Sequence, residues 1–283
     1  MKLDPQRAGQ DRRQLAAALR DLRKASGLSG ERLARRCGMS QSKISRIENG
    51  RLLPSVVDVV GILTALGVDR DTREALTALA RVANTEYQDL RSSVRRGLHH
   101  RQRELTALEE NTAHARYFLP ALITGLLQTP QYMRTAMSPP IDPATADVSK
   151  AVAMKLGRQA ILHDGTKRFE FLLTESAIRW RLCAPSVMAV QLDHLVSVSR
   201  LPSVRLGVLP LSRQVPDGAY HTFTVYDDRL VTVELFTGRL VLRDPKDIGH
   251  YRSLFGFFSS HAVWADEARV ILQAVADTFR DAE

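Results

Sequence analysis

"LSGERLARRCGMSQSKISRIENGRLLPS", residues 28–55, decides how this chain is read. Two short helical patterns stand on either side of a glycine. The first, Glu31–Cys37, sets Leu33, Ala34 and Cys37 on one side. The second, Gln41–Glu48, sets Ile44 and Ile47 on one side at a spacing of three. Ser40 is placed to cap the second helix, because its hydroxyl can accept an amide of the first turn that has no partner inside the helix. Gly38 stands where the turn needs a positive φ, which a residue without Cβ adopts at little cost. Ala34 lies where the second helix crosses the first closely and a small side chain is required. Asn49-Gly50 supplies a left-handed stop.

The flanking sequence extends the same plan. Arg12–Ala25 carries Leu15, Ala18, Leu19 and Leu22 at helical spacing and stops at Gly27. Ser55-Val56-Val57-Asp58 has the pattern of a capping box and opens an apolar helix ending at Gly67, and Asp71–Ala83 adds a fifth helix. Together these residues resemble the Xre/Cro-type repressor family of DNA-binding helix-turn-helix domains. The match runs over residues 12–83, and "SQSKISRIENG" is its most specific part. The resemblance implies a second helix that enters the major groove of DNA and reads base edges near its N-terminal end.

With Ile44 and Ile47 facing inward, Gln41, Ser42, Ser45 and Arg46 face out, with Lys43 beside them. Glutamine pairs bidentately with adenine and arginine with guanine, so Gln41 and Arg46 are the base-reading candidates. Lys43 can reach a base or a phosphate. Ser29 and Ser40 cap the two helices, and Arg20, Arg23, Arg35, Arg36 and Arg51 are candidate phosphate contacts, which position without specifying. One residue pair departs from the family. Its first helix of the motif commonly opens Thr-Gln, whereas this chain has Ser29-Gly30, which keeps the cap and loses the glutamine contact.

Charge is distributed to match. The 283-residue chain holds 40 Lys+Arg and 31 Asp+Glu, a net +9. Residues 1–103 hold 21 of the basic and 11 of the acidic residues, a net +10, and the rest is at −1. The excess therefore belongs to the first third, as expected for an anion-binding module joined to a neutral one. No run approaches the ~20 apolar residues of a membrane span. The N-terminal "MKLDPQRAGQDRR" lacks the apolar segment of a signal peptide, and the two cysteines, Cys37 and Cys183, have no ligand spacing. A cytoplasmic protein without metal or cofactor is expected.

Residues 1–11 read as a flexible tail and 84–106 as a basic linker helix carrying Arg95, Arg96, Arg101 and Arg103. His99-His100 point about 100° apart on a helix, which is not the i,i+4 pair that zinc uses. From 107 to 283 the pattern turns mixed α/β. Strands are expected at 168–174, 204–210, 221–228, 230–236 and 238–244. Helices are expected at 185–200, after Asp244-Pro245 with Ile248, Tyr251, Phe255 and Phe258 on one face, and at Asp266–Arg280. "ALITGLLQTPQYMR", residues 121–134, enters this half, with Leu122, Leu126 and Leu127 expected in the core and Thr129-Pro130 starting a helix as N-cap and N1.

This half resembles the C-terminal domain of unknown function of actinobacterial WhiJ-like regulators. The resemblance is carried by "LEENTAHARYFLPALITGLLQTPQYMR", "LGRQAIL", "LLTESAIRW", "QLDHLV" and "VLP". The family's usual Val-Pro-Gly at the hinge is here Ile123-Thr124-Gly125. Membership implies an antitoxin-like transcription regulator, often encoded beside a small partner protein.

Taken whole, the sequence predicts an α+β protein: an all-α helix-turn-helix domain of about five helices, a linker helix, then a mixed α/β domain that dimerises and senses a partner protein or small ligand. Double-stranded DNA with an inverted repeat is the expected partner, and no membrane is. The alternative is an antitoxin-like protein that sequesters a small partner and binds DNA for autoregulation. Gln128, Tyr132 and Glu175 are the candidate ligand or partner contacts. No nucleotide loop, His-Glu-x-x-His or nucleophile elbow appears, so no catalytic residue is expected. For an enzyme tethered to DNA the candidate carboxylates are Glu175, Asp227, Asp228 and Glu234, with histidines at 163, 194, 221, 250 and 261; Glu175, at the end of a strand, more simply caps a helix or pairs with Arg179.

Overall fold

The computed structural model describes residues 8–89, 105–138 and 148–282. The first seven residues of the expected tail and most of the expected linker helix, with Arg95, Arg96, His99, His100, Arg101 and Arg103, lie outside the described residues. The chain divides into two compact units. One is Met1–Gln88 with Leu240–Ile248, the other Asp89–Arg239 with Gly249–Glu283.

Five helices build the first unit: α1 (Ala8–Ala25), α2 (Gly30–Cys37), α3 (Gln41–Glu48), α4 (Val56–Leu66) and α5 (Arg70–Asn84). Local chemistry sets their ends. Ser29, Ser40, Ser55 and Asp69 each accept an amide of the following first turn, and Ser55 with Asp58 closes a full capping box. Gly38 (φ +64) and Gly67 (φ +65) take the left-handed conformation just past α2 and α4. At the end of α3 the left-handed residue is Gly50 (φ +67), while Asn49 keeps φ −92.

α2 and α3 have eight residues each, short of the ~12–15 that hold a helix in water unaided. Packing holds them. Leu15, Leu19, Leu33, Ile44, Ile47, Val59 and Leu63 form one buried cluster with Ala34. Each large side chain there contributes roughly 1.5–3 kcal/mol.

After α5 the chain forms β1 (Thr85–Asp89), not the first turns of a linker helix. Polar composition alone allowed a helix here. A β-branched residue and an aromatic, Thr85 and Tyr87, favour extended backbone. The carbonyl of Asn84 meets the amide of Arg243 at 3.1 Å. Asn84 is itself buried and donates through Nδ2 to the carbonyls of Pro54 and Ala80, which ties the end of α5 to the loop before α4.

The second unit is a mixed sheet. Its strands β2 (His114–Leu119), β3 (Arg168–Thr174), β4 (Val204–Leu209), β5 (Phe223–Tyr226), β6 (Leu230–Leu235) and β8 (Val263–Trp264) lie in the order β6-β5-β2-β3-β4-β8. β7 (Gly238–Leu242) begins in this unit and continues into the first. β2, β3 and β4 run parallel, and β5, β6 and β8 are antiparallel to their neighbours. The helices are α6 (Pro130–Ala136), α7 (Val148–Arg158), α8 (Glu175–Arg179), α9 (Pro185–Val198), α10 (Pro245–His261, begun in the first unit) and α11 (Ala265–Arg280).

Alternation along the strands sends Tyr117, Phe171, Leu206 and Val208 to one face. They join Leu192 and Leu195 of α9 and Leu272 and Val275 of α11 in a single core. On the other face Phe118 stacks on Phe258 of α10 at 4.5 Å and lies 5.1 Å from Phe223.

β2 sits in mid-sheet, yet its opening residues read as part of a polar, helix-compatible stretch. Six residues beginning His-Ala-Arg carry too little alternation to announce a strand, and only pairing on both sides settles it. The strand-like run at 168–174 forms β3, and the alternating run expected at 204–210 forms β4 over Val204–Leu209.

Register places Arg116, Glu170 and Arg205 side by side across β2, β3 and β4. Glu170 accepts from His114 Nε2 at 2.7 Å and from Arg205 at 2.8 Å, and lies 3.3 Å from Arg116. Since Arg116 donates to His114 Nδ1 at 3.0 Å, that nitrogen must accept and the proton sits on Nε2. The hydrogen bond from His114, followed by that from Arg205, lowers Glu170 to about 2. A depressed carboxylate stabilises the fold above its unfolded pKa, near 4.5, and that stability disappears as pH falls through about 2. Glu170→Gln is therefore expected to cost roughly 1–2 kcal/mol at neutral pH, after allowance for solvent screening. Its urea stability should also vary less with pH between 5 and 2 than that of the parent, an acid-limb comparison that checks the assignment.

Candidate nucleic-acid interface

α3 is held at both ends by charge. At its C-terminal end the Arg23 guanidinium of α1 forks onto Glu48, Nε to Oε1 at 2.6 Å and Nη2 to Oε2 at 2.8 Å, while Nη1 donates to the carbonyl of Leu28 at 3.0 Å. Glu48 is 8% exposed and Arg23 17%, so this pair lies largely out of water. Hydrogen bonding to Glu48 raises the pKa of Arg23, which keeps its charge at any working pH. At the other end Lys43 reaches Asp58 of α4 at 2.7 Å, and Asp58 is the same residue that closes the capping box of α4.

With those groups engaged, the surface of α3 is simple. Ile44 and Ile47 are buried at 1% and 0%, and Gln41, Ser42 and Arg46 are exposed with Ser45 half-buried. Ser40 caps Lys43 N at 3.2 Å, and its hydroxyl lies 3.1 Å from that of Ser42. Asn49 folds back on the carbonyl of Ser45 at 2.8 Å. Ser29 is exposed at the head of α2 and Arg51 is exposed past α3. Thus Ser29, Ser40, Gln41 and Ser42 lie at the N-terminal ends of α2 and α3, whereas Ser45 and Arg46 stand in the C-terminal half of α3 and Arg51 lies past its end.

Three of the expected phosphate contacts are occupied within the unit. Arg23 is a structural partner of Glu48, Arg35 pairs with Glu31 one turn back at 2.6 Å, and Arg36 lies 3.4 Å from the carbonyl of Ala65. Sequence reasoning missed Glu48. An acidic residue beside the two isoleucines of a recognition-like helix was a signal, but its partner lies 25 positions away.

In the second unit the three candidate contacts are all engaged or buried within the fold. Tyr132 is fully buried in the core, and burial pushes its hydroxyl up to about 12. Gln128 is 5% exposed and donates to the carbonyl of Ile123 at 2.7 Å. It belongs to a set of glutamines serving the irregular stretch 120–129. Gln159 donates to the carbonyls of Gly125 and Gln128, and Gln191 donates to Leu127 while accepting the amide of Thr129. Buried loop backbone needs such partners, and side-chain amides supply both donor and acceptor. Within this stretch Leu126 and Leu127 are buried as expected, but Leu122 is 42% exposed and Ile123 fills the core instead.

Glu175 accepts from Arg179 at 2.6 Å and from the amide of Leu211 at 2.8 Å, so it braces α8 and the end of β4. Arg158 lies 3.0 Å from Glu109, both nearly buried, and desolvation nevertheless raises Glu109 above the usual carboxylate range. Among the described residues no cluster of three or more His, Cys, Asp or Glu has the arrangement of a metal site, and no helix is long and apolar enough to cross a membrane.

Comparison with known proteins gives two family matches. A domain of unknown function (DUF5753) matches residues 102–274, and a helix-turn-helix domain matches residues 14–76. No curated protein matches the chain. Among solved structures, NucT from Helicobacter pylori aligns at 11% identity and a TM-score of 0.35, over 63% of this chain and 97% of that one. TrmBL2, an archaeal chromatin protein whose structure shows a novel mode of DNA binding, aligns at 10% and 0.31, over 69% of this chain and 60% of that one. Scores this low establish no shared fold.

The Arg23–Glu48 pair generates a stability expectation. Glu48→Gln or Arg23→Ala leaves one buried charge without its partner and should cost about 3 kcal/mol in chemical denaturation. Arg35→Ala, which removes an exposed pair, should cost under ~0.5 kcal/mol. Equal losses for the two pairs would contradict the assignment.

Proposed function

The chain belongs to the DUF5753 family and carries a helix-turn-helix domain ahead of it, and on that premise we propose that it is a sequence-specific DNA-binding transcription regulator of the Xre/Cro type. The observation that carries this reading is the surface of α3. Its apolar residues are buried, its Lys43 and Glu48 are engaged, and Gln41, Ser42, Ser45 and Arg46 are what it presents. In that reading Arg46 reads a guanine, Gln41 an adenine, and Ser29, Ser40 and Arg51 lie against phosphates.

The second unit, of the WhiJ-like type, is assigned dimerisation and sensing of a partner or small ligand, in a cytoplasmic protein. A ligand changes operator affinity only if it favours one arrangement of the paired DNA-binding units over another. No catalytic role is assigned, since both carboxylate oxygens of Glu175 accept hydrogen bonds within the fold.

A second reading, an antitoxin-like protein that sequesters a small partner, has one observation in its favour. Tyr220 (84% exposed), Leu235 (43%) and Phe236 (104%) present apolar surface near the β6–β7 turn, the type of surface that protein contacts cover.

Arg46→Ala is expected to lose ~1–3 kcal/mol on the operator and little on random duplex. Equal losses on both would make Arg46 a phosphate contact and remove the base-reading role. The operator should be an inverted repeat with half-sites about 34 Å apart, and native mass spectrometry of the complex should give two chains per site. One chain on one half-site would refute the dimer.

A further inference from the structure

Lys43 is a cation in an unfavourable place. It is the third residue of α3, in a first turn capped by Ser40, where the positive end of the helix dipole lies. A carboxylate from another helix offsets it. The Lys43 ammonium meets Oδ1 of Asp58 at 2.7 Å, with the lysine side chain 34% exposed and the aspartate 17%.

The other oxygen of that carboxylate is committed as well. Oδ2 accepts the backbone amide of Ser55 at 3.2 Å, while the amide of Asp58 donates to the Ser55 hydroxyl at 3.1 Å. The capping box at the start of α4 therefore fixes the direction of the carboxylate, and one of its oxygens is left for Lys43. Two pairs elsewhere in this unit, Arg35–Glu31 and Arg70–Glu74, differ in kind. Each spans one turn of a single helix, and all four side chains are at least 64% exposed, so either partner can turn away into water. Asp58 is anchored by backbone and has no such freedom.

We infer that Asp58 is a positioning residue that holds Lys43 off the DNA backbone, so that the first turn of α3 meets a duplex as a neutral pair. This assignment rests on the reading of α3 as a DNA-reading helix, and it removes Lys43 from that helix's contacts. A phosphate near the N-terminal end of α3 competes with Asp58 for the same ammonium, and the capping box keeps the aspartate in place for that competition. Each phosphate that a cation neutralises releases counterions, and a lysine kept on a carboxylate releases none. Asp58 thereby restrains binding to DNA of any sequence without touching DNA itself.

The test is the salt dependence of binding to a random-sequence duplex, followed by fluorescence anisotropy with the full-length protein, Asp58→Asn and the double variant Asp58→Asn with Lys43→Met. The double variant is uncharged at both positions, so its slope of log K against log salt should equal that of the parent. Asp58→Asn leaves Lys43 free. Its slope should be steeper than the double variant's by about 0.9, and its affinity about fivefold higher at about 0.15 M salt. Asparagine keeps an oxygen for the Ser55 amide, and a weakened cap alone does not move a salt slope. Asp58→Ser, also uncharged, replaces it if Asp58→Asn does not fold. A parent slope steeper than the double variant's by about 0.9 means that Lys43 already lies on a phosphate, and overturns the assignment. A slope for Asp58→Asn equal to the double variant's overturns it too. A parent that binds no duplex refutes the reading of α3 and this assignment together, whereas equal losses in the Arg46 experiment reassign Arg46 alone and leave the Lys43 comparison intact.

Discussion

The fork of Arg23 onto Glu48 is the contact on which the first unit depends. α3 is too short to be stable by itself, and the helix that would enter a groove must also expose its polar side, so burial of Ile44 and Ile47 alone leaves it free to rock about that apolar line. A bidentate guanidinium at the last turn removes that freedom, since two parallel N–H···O bonds fix direction as well as distance. Lys43 on Asp58 does the same at the first turn. A buried ion pair gains little net stability over a well-packed apolar pair, because desolvation offsets most of the attraction. Its yield here is orientation: α3 is pinned to α1 at one end and to α4 at the other, and Gln41, Ser42, Ser45 and Arg46 are carried on a rigid face.

Polar groups organise the second unit in a comparable way, with amides in place of charges. Much of the stretch 120–129 is buried, and outside the single 3-10 turn Gly125–Leu127 its backbone is irregular, a costly arrangement unless each buried carbonyl and amide finds a partner. Gln128, Gln159 and Gln191 supply those partners, so Gln128, the one glutamine that the sequence offers as a ligand contact, helps the loop to be buried. The charged row Arg116–Glu170–Arg205 is simpler, since parallel register alone brings it together. The strands supply position, and the polar side chains on and around them determine which loop conformations are tolerated.

What was legible in the sequence follows from the range of each interaction. Caps and stops act over three or four residues, so Ser40, Gly38, Ser55 with Asp58, and the helix start at Pro130 could be placed by inspection, though the Thr129 hydroxyl makes no cap, and so could the core faces of α2 and α3. Strand β4 showed its alternation at Val204, Leu206 and Val208. Contacts that join distant segments left no such trace. Arg23 looked like one more surface arginine because Glu48 lies 25 residues on. β2 looked helix-compatible because its strand character comes from β3 and β5. The exchange of Leu122 for Ile123 in the core is the same effect at the smallest scale, since periodicity has no meaning in a loop whose course is set by hydrogen bonds from elsewhere.

Charge shows why the two levels of reading must be combined. By composition, the net +10 of residues 1–103 marks a polyanion-binding module, and every arginine in it is a candidate. The fold sorts them. Arg23, Arg35, Lys43 and Arg70 are matched to Glu48, Glu31, Asp58 and Glu74, whereas Arg32, Arg46 and Arg51 are exposed around the helix-turn-helix. Affinity for a phosphate backbone scales with the number of cations that displace counterions, so matched residues add to the count only after giving up a protein partner. The pairs on α3 fall in that class. If α3 reads bases as proposed, keeping Lys43 on Asp58 and Arg23 on Glu48 would lower non-specific attraction along it and would leave Gln41 and Arg46 a larger share of the interaction energy there. Discrimination between sequences grows as that share grows, which is why a recognition surface gains from holding some of its own cations in place.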